Sequence, residues 1–106
     1  MSTPFILVHL LYDMRAITQE AVNAFEGGYN MTKSNTSVVD GVLALHGNAI
    51  AKLIDGRLMV TLAGWNTPTT RERLSGLTGV SASTRQGQAS INGFNVPDDE
   101  WIEIDL

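Results

Sequence analysis

Apolar residues at the start of the chain change their spacing, and each spacing predicts a different element. Pro4–Tyr12 is almost entirely apolar and has the length of a strand buried on both faces. A short helix remains an alternative, because periodicity does not separate the two over so few residues. From Met14 to Phe25 apolar positions recur at helical spacing, and Gly27-Gly28 supplies a stop signal. We predict an amino-terminal strand followed by a helix.

Runs of β-branched and aliphatic residues fill the middle of the chain and are separated by turn-forming pairs. The segment Thr36–Ile54 is broken by Asp40-Gly41 and Gly47-Asn48, and Asp55-Gly56 follows it. Asp-Gly between two apolar runs is a strong signal for a two-residue hairpin loop. We therefore predict two successive hairpins, with loops at Gly47-Asn48 and Asp55-Gly56.

These loops decide which side chains share a face of the sheet, because strand side chains alternate between faces. The predicted core face carries Val42, Ala44, His46, Ala49, Ala51, Leu53, Leu58, Val60 and Leu62. The opposite face then carries Leu43, Leu45, Ile50 and Met59. A second apolar face, or an exposed edge at Phe5–Tyr12, needs a cover in so small a fold, and homo-oligomerisation is the predicted cover.

Pro68 marks a change from strand to helix, since proline fits the first turn of a helix and not a central strand. Thr69 and Glu72 have the spacing of a capping box, in which each side chain bonds a free backbone amide. A short helix is therefore predicted from Thr70 to Ser75, ended by Gly76.

The remaining residues predict short strands, which makes the chain α+β. The predicted strands are Val80–Arg85, Gln88–Ile91, Phe94–Val96 and Trp101–Ile104, with turns at Gln86-Gly87, Asn92-Gly93 and Pro97-Asp98-Asp99. The fold class is a small, mainly antiparallel, hairpin-rich β-sheet with a short helix after Thr69 and an amino-terminal strand and helix. Its 106 residues are enough for one domain with a modest core.

Met31 raises a second interpretation of the amino terminus. Glu26-Gly27-Gly28 can be encoded by a purine-rich tract a few bases before the Met31 codon, which is the arrangement of a bacterial ribosome-binding site. We therefore consider residues 1–30 as an extension of a core formed by residues 31–106. The hypothesis adds a shorter product that starts at Met31.

Composition and charge restrict the function classes. The chain has no cysteine, which excludes disulfides, thiolate nucleophiles and cysteine-ligated metals. The run at Phe5–Tyr12 is far shorter than the roughly 20 residues of a membrane helix and lacks the flanks of a signal peptide. We predict a cytosolic protein without membrane association.

The net charge of −4 is unevenly distributed. The segment from Met31 to Gly93 contains six basic and three acidic residues, which gives it a net charge of +3. The last nine positions hold Asp98, Asp99, Glu100, Glu103 and Asp105 without a basic residue. A weakly basic body with an acidic tail disfavours non-specific duplex binding, which needs a dense cationic stripe, and permits one small anionic ligand.

An enzyme is not predicted, and neither is a metal or cofactor. Catalysis needs a nucleophile with a base, a carboxylate pair or a metal cluster. The two histidines, His9 and His46, have no metal-binding spacing, and the clustered acids lie in the tail, where a solvated edge explains them.

Polar residues around Trp65 form the strongest positive signal. The run Thr67-Pro68-Thr69-Thr70 opens the predicted helix and precedes Arg71 and Arg73, so amides, hydroxyls and guanidinium groups are available for a phosphate. Trp65 can stack on a base. Further contacts are predicted from Ser34, Asn35, Thr36, His46 and Asn48. Capping, packing and turn formation also explain these residue types.

Three blocks of the sequence carry a resemblance. Ser34–Val38, Leu45–Ala51 and Gly64–Leu74, with an Asn-Gly near the end, resemble the small uncharacterised proteins encoded by tailed bacteriophages. The resemblance covers Met31 to about Phe94. It implies a phage origin and expression in the host cytoplasm, and small phage proteins are frequently host-takeover or counter-defence factors.

We therefore predict a non-enzymatic phage accessory protein that captures an anionic ligand such as a nucleotide or a nucleic-acid end. The alternative is a protein–protein inhibitor of a host or defence factor, which would use the acidic tail and the second sheet face. A structural virion component ranks third.

Overall fold

A computed structural model describes the backbone of residues 3–105 and the side chains of residues 15–105. The α+β class is confirmed, with two helices and two antiparallel sheets in the described part of the chain. The elements are α1 (Thr3–Gly27), β1 (Met31–Lys33), β2 (Thr36–Val39), β3 (Val42–Leu45), β4 (Asn48–Ile54), β5 (Arg57–Val60), α2 (Pro68–Ser75), β6 (Ala82–Arg85), β7 (Gln88–Ile91), β8 (Phe94–Asn95) and β9 (Ile102–Glu103).

The strand predicted over Pro4–Tyr12 is wrong, because its backbone belongs to α1. The short apolar run did not separate strand from helix, and it continues into the helix predicted from Met14 to Phe25. The carboxyl-terminal half of α1 contributes to the core that the strands also form, through Ala21, Val22, Ala24 and Phe25. Within the described residues, neither helix is long and apolar enough to cross a membrane.

The larger sheet has the strand order β1-β2-β3-β4-β5-β9. Two-residue turns at Asp40-Gly41, His46-Gly47 and Asp55-Gly56 join its central strands. Their first residues have φ of 51–52° and their glycines 78–81°, the left-handed geometry that matches the twist of a hairpin. The hairpin predicted at Asp55-Gly56 is confirmed, with Leu53 opposite Leu58.

The loop predicted at Gly47-Asn48 is wrong by one residue. His46-Gly47 forms the loop and Leu45 pairs with Asn48. Moving the loop by one residue changes the partner of each residue by two positions, so before the bulge the same side chains stay together on each face. What differs is which face is buried: Leu43 and Leu45 lie in the core and do not form a second, uncovered apolar face.

A bulge then brings part of β4 back into the predicted orientation. Ala49 pairs with Ala44 and Ala51 pairs with Leu43, so Ile50 is the extra residue between them. Both Ile50 and Ala51 are buried. Of the predicted core, Ala51, Leu58, Val60 and Leu62 are buried, Val42, Ala44 and Ala49 are half-buried, and His46 and Leu53 are exposed.

Both helices pack against the larger sheet. α1 contacts β1, β2, β3 and α2, and α2 also contacts β4 and β6. A second subunit was predicted as the cover of Leu43, Leu45, Ile50 and Met59; within the single chain the first three are buried and Met59 is half-buried. Homo-oligomerisation stays a prediction, but an uncovered second sheet face no longer supports it.

The smaller sheet consists of β6, β7 and β8 in that order. Its turns are Gln86-Gly87 and Asn92-Gly93, as predicted. The acidic tail instead returns to the larger sheet, where β9 pairs with β5 as an edge strand. Glu103 there lies 3.5 Å from Arg57, in an exposed ion pair.

Candidate ligand-binding site

The start of α2 is capped by Thr67 rather than by the predicted Thr69. The Thr67 side-chain oxygen accepts a hydrogen bond from the Thr70 amide at 3.2 Å, and Pro68 occupies the first helical position. Proline suits that position because its φ is helical and it lacks an amide proton. Glu72 does not close a capping box, since its carboxylate accepts from Thr18 and Arg73.

Trp65 is held by a tight turn between β5 and α2. Ala63 and Gly64 have φ of 55° and 85°, and the Trp65 amide donates to the Leu62 carbonyl at 2.8 Å. The Gly64 amide donates to the Asp98 carbonyl at 2.7 Å, which ties this turn to the carboxyl-terminal tail. The indole is left 61% exposed.

A cavity of about 440 Å³ lies between the β3–β4 hairpin and the start of α2. We call it the Trp65 cavity; it is lined by Leu45, His46, Asn48, Ile50, Leu62, Ala63, Trp65, Thr67, Thr69 and Thr70. Six of these are predicted site residues, so the structure brings together two blocks that are separated in the sequence. The β4–β5 hairpin lies between the two blocks in the sequence and brings them close together in the fold.

The Trp65 cavity is apolar at its base and polar at one wall. Leu45, Ile50 and Leu62 are buried beneath it. The hydroxyls of Thr67 and Thr70 lie 3.0 Å apart and bond each other. None of the described residues that line it is an aspartate, glutamate, lysine or arginine. Such a lining suits an uncharged, planar group with a few polar atoms.

The structure places both predicted arginines outside the Trp65 cavity lining. Arg71 donates to the side-chain oxygen of Asn66, whose amide nitrogen in turn donates to Thr84 at 3.1 Å. The Gly87 carbonyl accepts from the same nitrogen at 3.4 Å. Arg71 thus belongs to a chain of contacts that ties α2 to the β6–β7 hairpin.

Arg73 is an interior residue, only 2% exposed. Its guanidinium donates to Thr36 at 3.0 Å, to Thr18 at 2.7 Å and to Glu72 at 3.1 Å. Burial lowers the pKa of Arg73 from its ordinary value, and the charge and hydrogen bond of Glu72 act in the opposite direction. Arg73 joins α1, β2 and α2, and a ligand in the cavity does not reach it.

A second, smaller cavity of about 180 Å³ lies beside the first. We call it the Ser34 cavity; it is lined by Thr32, Ser34, Asn35, Thr36, Ser37, His46 and Gly47. It contains the predicted residues Ser34, Asn35 and Thr36, and His46 lines both cavities.

The apolar residues of the site were not among the predicted ligand contacts. Leu45, Ile50, Leu62 and Ala63 line the Trp65 cavity, although only polar and aromatic residues were predicted to contact a ligand. Their signal was present, because Leu45 and Ile50 flank His46 and Asn48 in one block. The prediction instead took the face of Ala44 and Ala49 as the core face, which left Leu45 and Ile50 on the other one. No cluster of histidines and carboxylates that could hold a metal occurs among the described residues.

Comparison with known proteins places the chain in one family. Residues 14–105 match the family described as Kyanoviridae Gp96 protein. The match starts before Met31 and continues past Phe94, so it is longer than the resemblance over the three blocks and includes the core-forming half of α1. No curated protein and no solved structure matches the chain. The chain belongs to the Kyanoviridae Gp96 protein family, a family of bacteriophage proteins.

Proposed function

We propose that this phage protein is a non-enzymatic accessory protein that binds the planar, uncharged part of a small ligand, such as a nucleobase, in the Trp65 cavity. The observation that carries the proposal is the exposed indole at an apolar cavity of about 440 Å³. Small-molecule sites generally measure about 300–1,000 Å³ and combine apolar walls with a few polar groups. The size and the lining of the Trp65 cavity both meet this description.

Trp65 supports a planar ligand in particular. Packing against the core would remove its large apolar surface from water, yet 61% of the residue stays exposed. Stacking between a base and an aromatic side chain contributes about 1–3 kcal/mol. A base between Trp65 and the threonine wall would bury the indole and find hydrogen-bond partners in Thr69 and Asn48.

The positions of the two arginines favour a ligand whose bound part is uncharged over the anionic ligand that was predicted from the sequence. An anionic ligand was predicted because Arg71 and Arg73 follow the threonine run. Arg71 is bonded to Asn66, and Arg73 is buried between the helices and the sheet. The proposal therefore assigns the binding energy to the base and little of it to a phosphate.

The non-enzymatic part of the proposal rests on the hydrogen bonding of the cavity. A nucleophilic hydroxyl needs a base within hydrogen-bond reach. The hydroxyls of Thr67 and Thr70 bond each other, and His46 lies 3.5 Å from the Asn35 side chain. Recovery of an unchanged ligand after long incubation, measured by mass spectrometry, tests this part.

Isothermal titration with free adenine and uracil tests the binding. The wild-type protein should bind at least one base, and Trp65→Ala should weaken that binding about tenfold or more, the loss expected for one stacked base. Trp101→Phe is the matched control, because Trp101 lies outside the Trp65 cavity and stacks with Lys52 at 4.1 Å. Equal affinities for wild type and Trp65→Ala, or no binding of either base, would overturn the proposal.

A second candidate function is inhibition of a host or defence protein. It is favoured by Phe94, which is 75% exposed, and by the exposed carboxylates that follow it at Asp98, Asp99 and Glu100. An exposed aromatic side chain and a group of exposed carboxylates are features that suit a partner with a basic surface. The triple variant Asp98→Asn, Asp99→Asn, Glu100→Gln should abolish binding of that partner without changing the melting temperature. Retained binding by the triple variant excludes the acidic turn as the contact.

A further inference from the structure

His46 occupies the wall between the two cavities. Its amide donates to the Asn35 carbonyl at 2.7 Å, and its ring nitrogen lies 3.5 Å from the Asn35 side-chain nitrogen. Thr36 also pairs with Leu45 across β2 and β3. Together these contacts hold the Ser34-Asn35 and His46-Gly47 turns side by side. A ligand in the Trp65 cavity therefore lies next to the Ser34 cavity.

The backbone of the turn does not require histidine at this position. His46 has a φ of 52°, and the equivalent positions of the neighbouring turns hold Asp40 and Asp55. Asparagine, aspartate and glycine are the usual residues there, since they tolerate positive φ well. The His46 side chain is thus better explained by its place in both cavities than by the turn.

The Ser34 cavity is too small to be an independent site and its lining is polar. Its volume of about 180 Å³ is below the roughly 300 Å³ at which small-molecule sites begin. Its lining includes four residues that carry hydroxyls, Thr32, Ser34, Thr36 and Ser37, and the amide-bearing Asn35. Each hydroxyl can both donate and accept, so this lining suits a compact group that carries several hydroxyls of its own.

We infer that the ligand is a nucleoside, with its base in the Trp65 cavity, its sugar in the Ser34 cavity and His46 in contact with both parts. This inference rests on the function proposed above, which concerns the base alone. It assigns the Ser34 cavity as a sugar subsite and makes Ser34 and Ser37 its specificity-determining residues.

The test compares adenine with adenosine, and uracil with uridine, by isothermal titration. The wild-type protein should bind the nucleoside about tenfold more tightly than its base, the equivalent of one or two net hydrogen bonds. The variant Ser34→Gly, Ser37→Ala should lose that gain and keep its affinity for the base. Glycine is chosen at position 34 because Ser34 has a φ of 55°. The matched control Ser83→Ala, Ser90→Ala removes a hydroxyl pair of the smaller sheet and should change neither affinity.

His46→Asn tests the shared wall, because asparagine keeps the turn geometry and removes the imidazole. It should weaken binding of both base and nucleoside.

The results of these titrations separate the nucleoside inference from the proposed function. Equal binding of base and nucleoside by the wild type overturns the nucleoside inference and leaves the proposed function standing. A nucleoside gain that survives Ser34→Gly, Ser37→Ala overturns the sugar subsite, and unchanged binding by His46→Asn overturns the role of His46. Binding of neither base nor nucleoside overturns both proposals. Adenosine monophosphate should bind about as well as adenosine, whereas a large gain from the phosphate contradicts an uncharged ligand.

Discussion

At the scale of single residues, Arg73 shows how a side chain that resembles a ligand contact can be structural. Arginine after a threonine run at a helix start has the chemistry of a phosphate site. In the fold this arginine points inward and bonds Thr18, Thr36 and Glu72, one partner on each of α1, β2 and α2. Buried polar groups are stabilising only as a satisfied set, so each partner depends on the others.

Arg73→Ala should therefore lower the free energy of unfolding by about 2–5 kcal/mol, because it removes the buried hydrogen bonds that the guanidinium donates to Thr18 and Thr36 and opens a void. Urea denaturation followed by circular dichroism measures the change. Arg85→Ala is the matched control, since Arg85 is exposed on β6, and it should stay within about 0.5 kcal/mol of wild type. Similar stabilities for the two variants would show that Arg73 does not join the three elements.

At the scale of elements, the contact between the two helices depends on a glycine. Gly76 follows α2, and a Cβ atom built there would lie 2.6 Å from Cγ2 of Thr18 and 2.9 Å from Cγ2 of Val22. Its φ of −75° is open to any residue, so close approach alone requires glycine. Gly76 thus sets how near α2 lies to α1, and α2 carries one wall of the Trp65 cavity.

Gly76→Ala should destabilise the fold by about 1–3 kcal/mol through overpacking against α1. The melting temperature by calorimetry measures the effect. Val22→Ala removes one of the clashing methyl groups, so the double variant should be less destabilised than the sum of the single variants. Additive losses would contradict a direct contact between Gly76 and Val22. Thr78→Ala, an exposed change nearby, should have little effect.

At the scale of the whole molecule, α1 and the strands share one hydrophobic core. Among the side chains of α1 that the structure describes, Ala21, Val22, Ala24 and Phe25 are buried in it. Thr18 adds the polar contact with Arg73. The family match includes this part of the chain, since it begins at residue 14. Translation from Met31 stays a prediction. A product that starts there would lack α1 and its contribution to the core.

A chain of residues 31–106 should fail to unfold cooperatively, because it loses the helix that covers β1, β2 and β3. Circular dichroism during a urea titration measures this, with the full chain as the reference. A cooperative transition at the wild-type midpoint would show that α1 is dispensable. In the native gene, Met31→Leu should remove any shorter product seen by immunoblotting, and unchanged banding would exclude the internal start.

Local sequence determined much of the secondary structure. The two-residue turns at Asp55-Gly56, Gln86-Gly87 and Asn92-Gly93 were predictable because few residue types accept positive φ at both positions. Pro68 likewise marked the start of α2 through its preset φ, and Gly76 directly follows the last residue of the helix. Of the site, the polar residues that share the Trp65 cavity were predictable as a group, because two sequence blocks held them on either side of a predicted hairpin.

Tertiary structure alone decided the register, the capping residue and the direction of the arginines. Both His46-Gly47 and Gly47-Asn48 can form a two-residue loop, and the structure uses the first; the burial of Leu43 and Leu45 decides which face of the sheet belongs to the core. Arg73 turns inward because hydroxyls from two distant elements meet it there, which no local pattern records. Turn and cap preferences act within a few residues of one another, whereas the face of a strand and the partner of a charge depend on what packs against them.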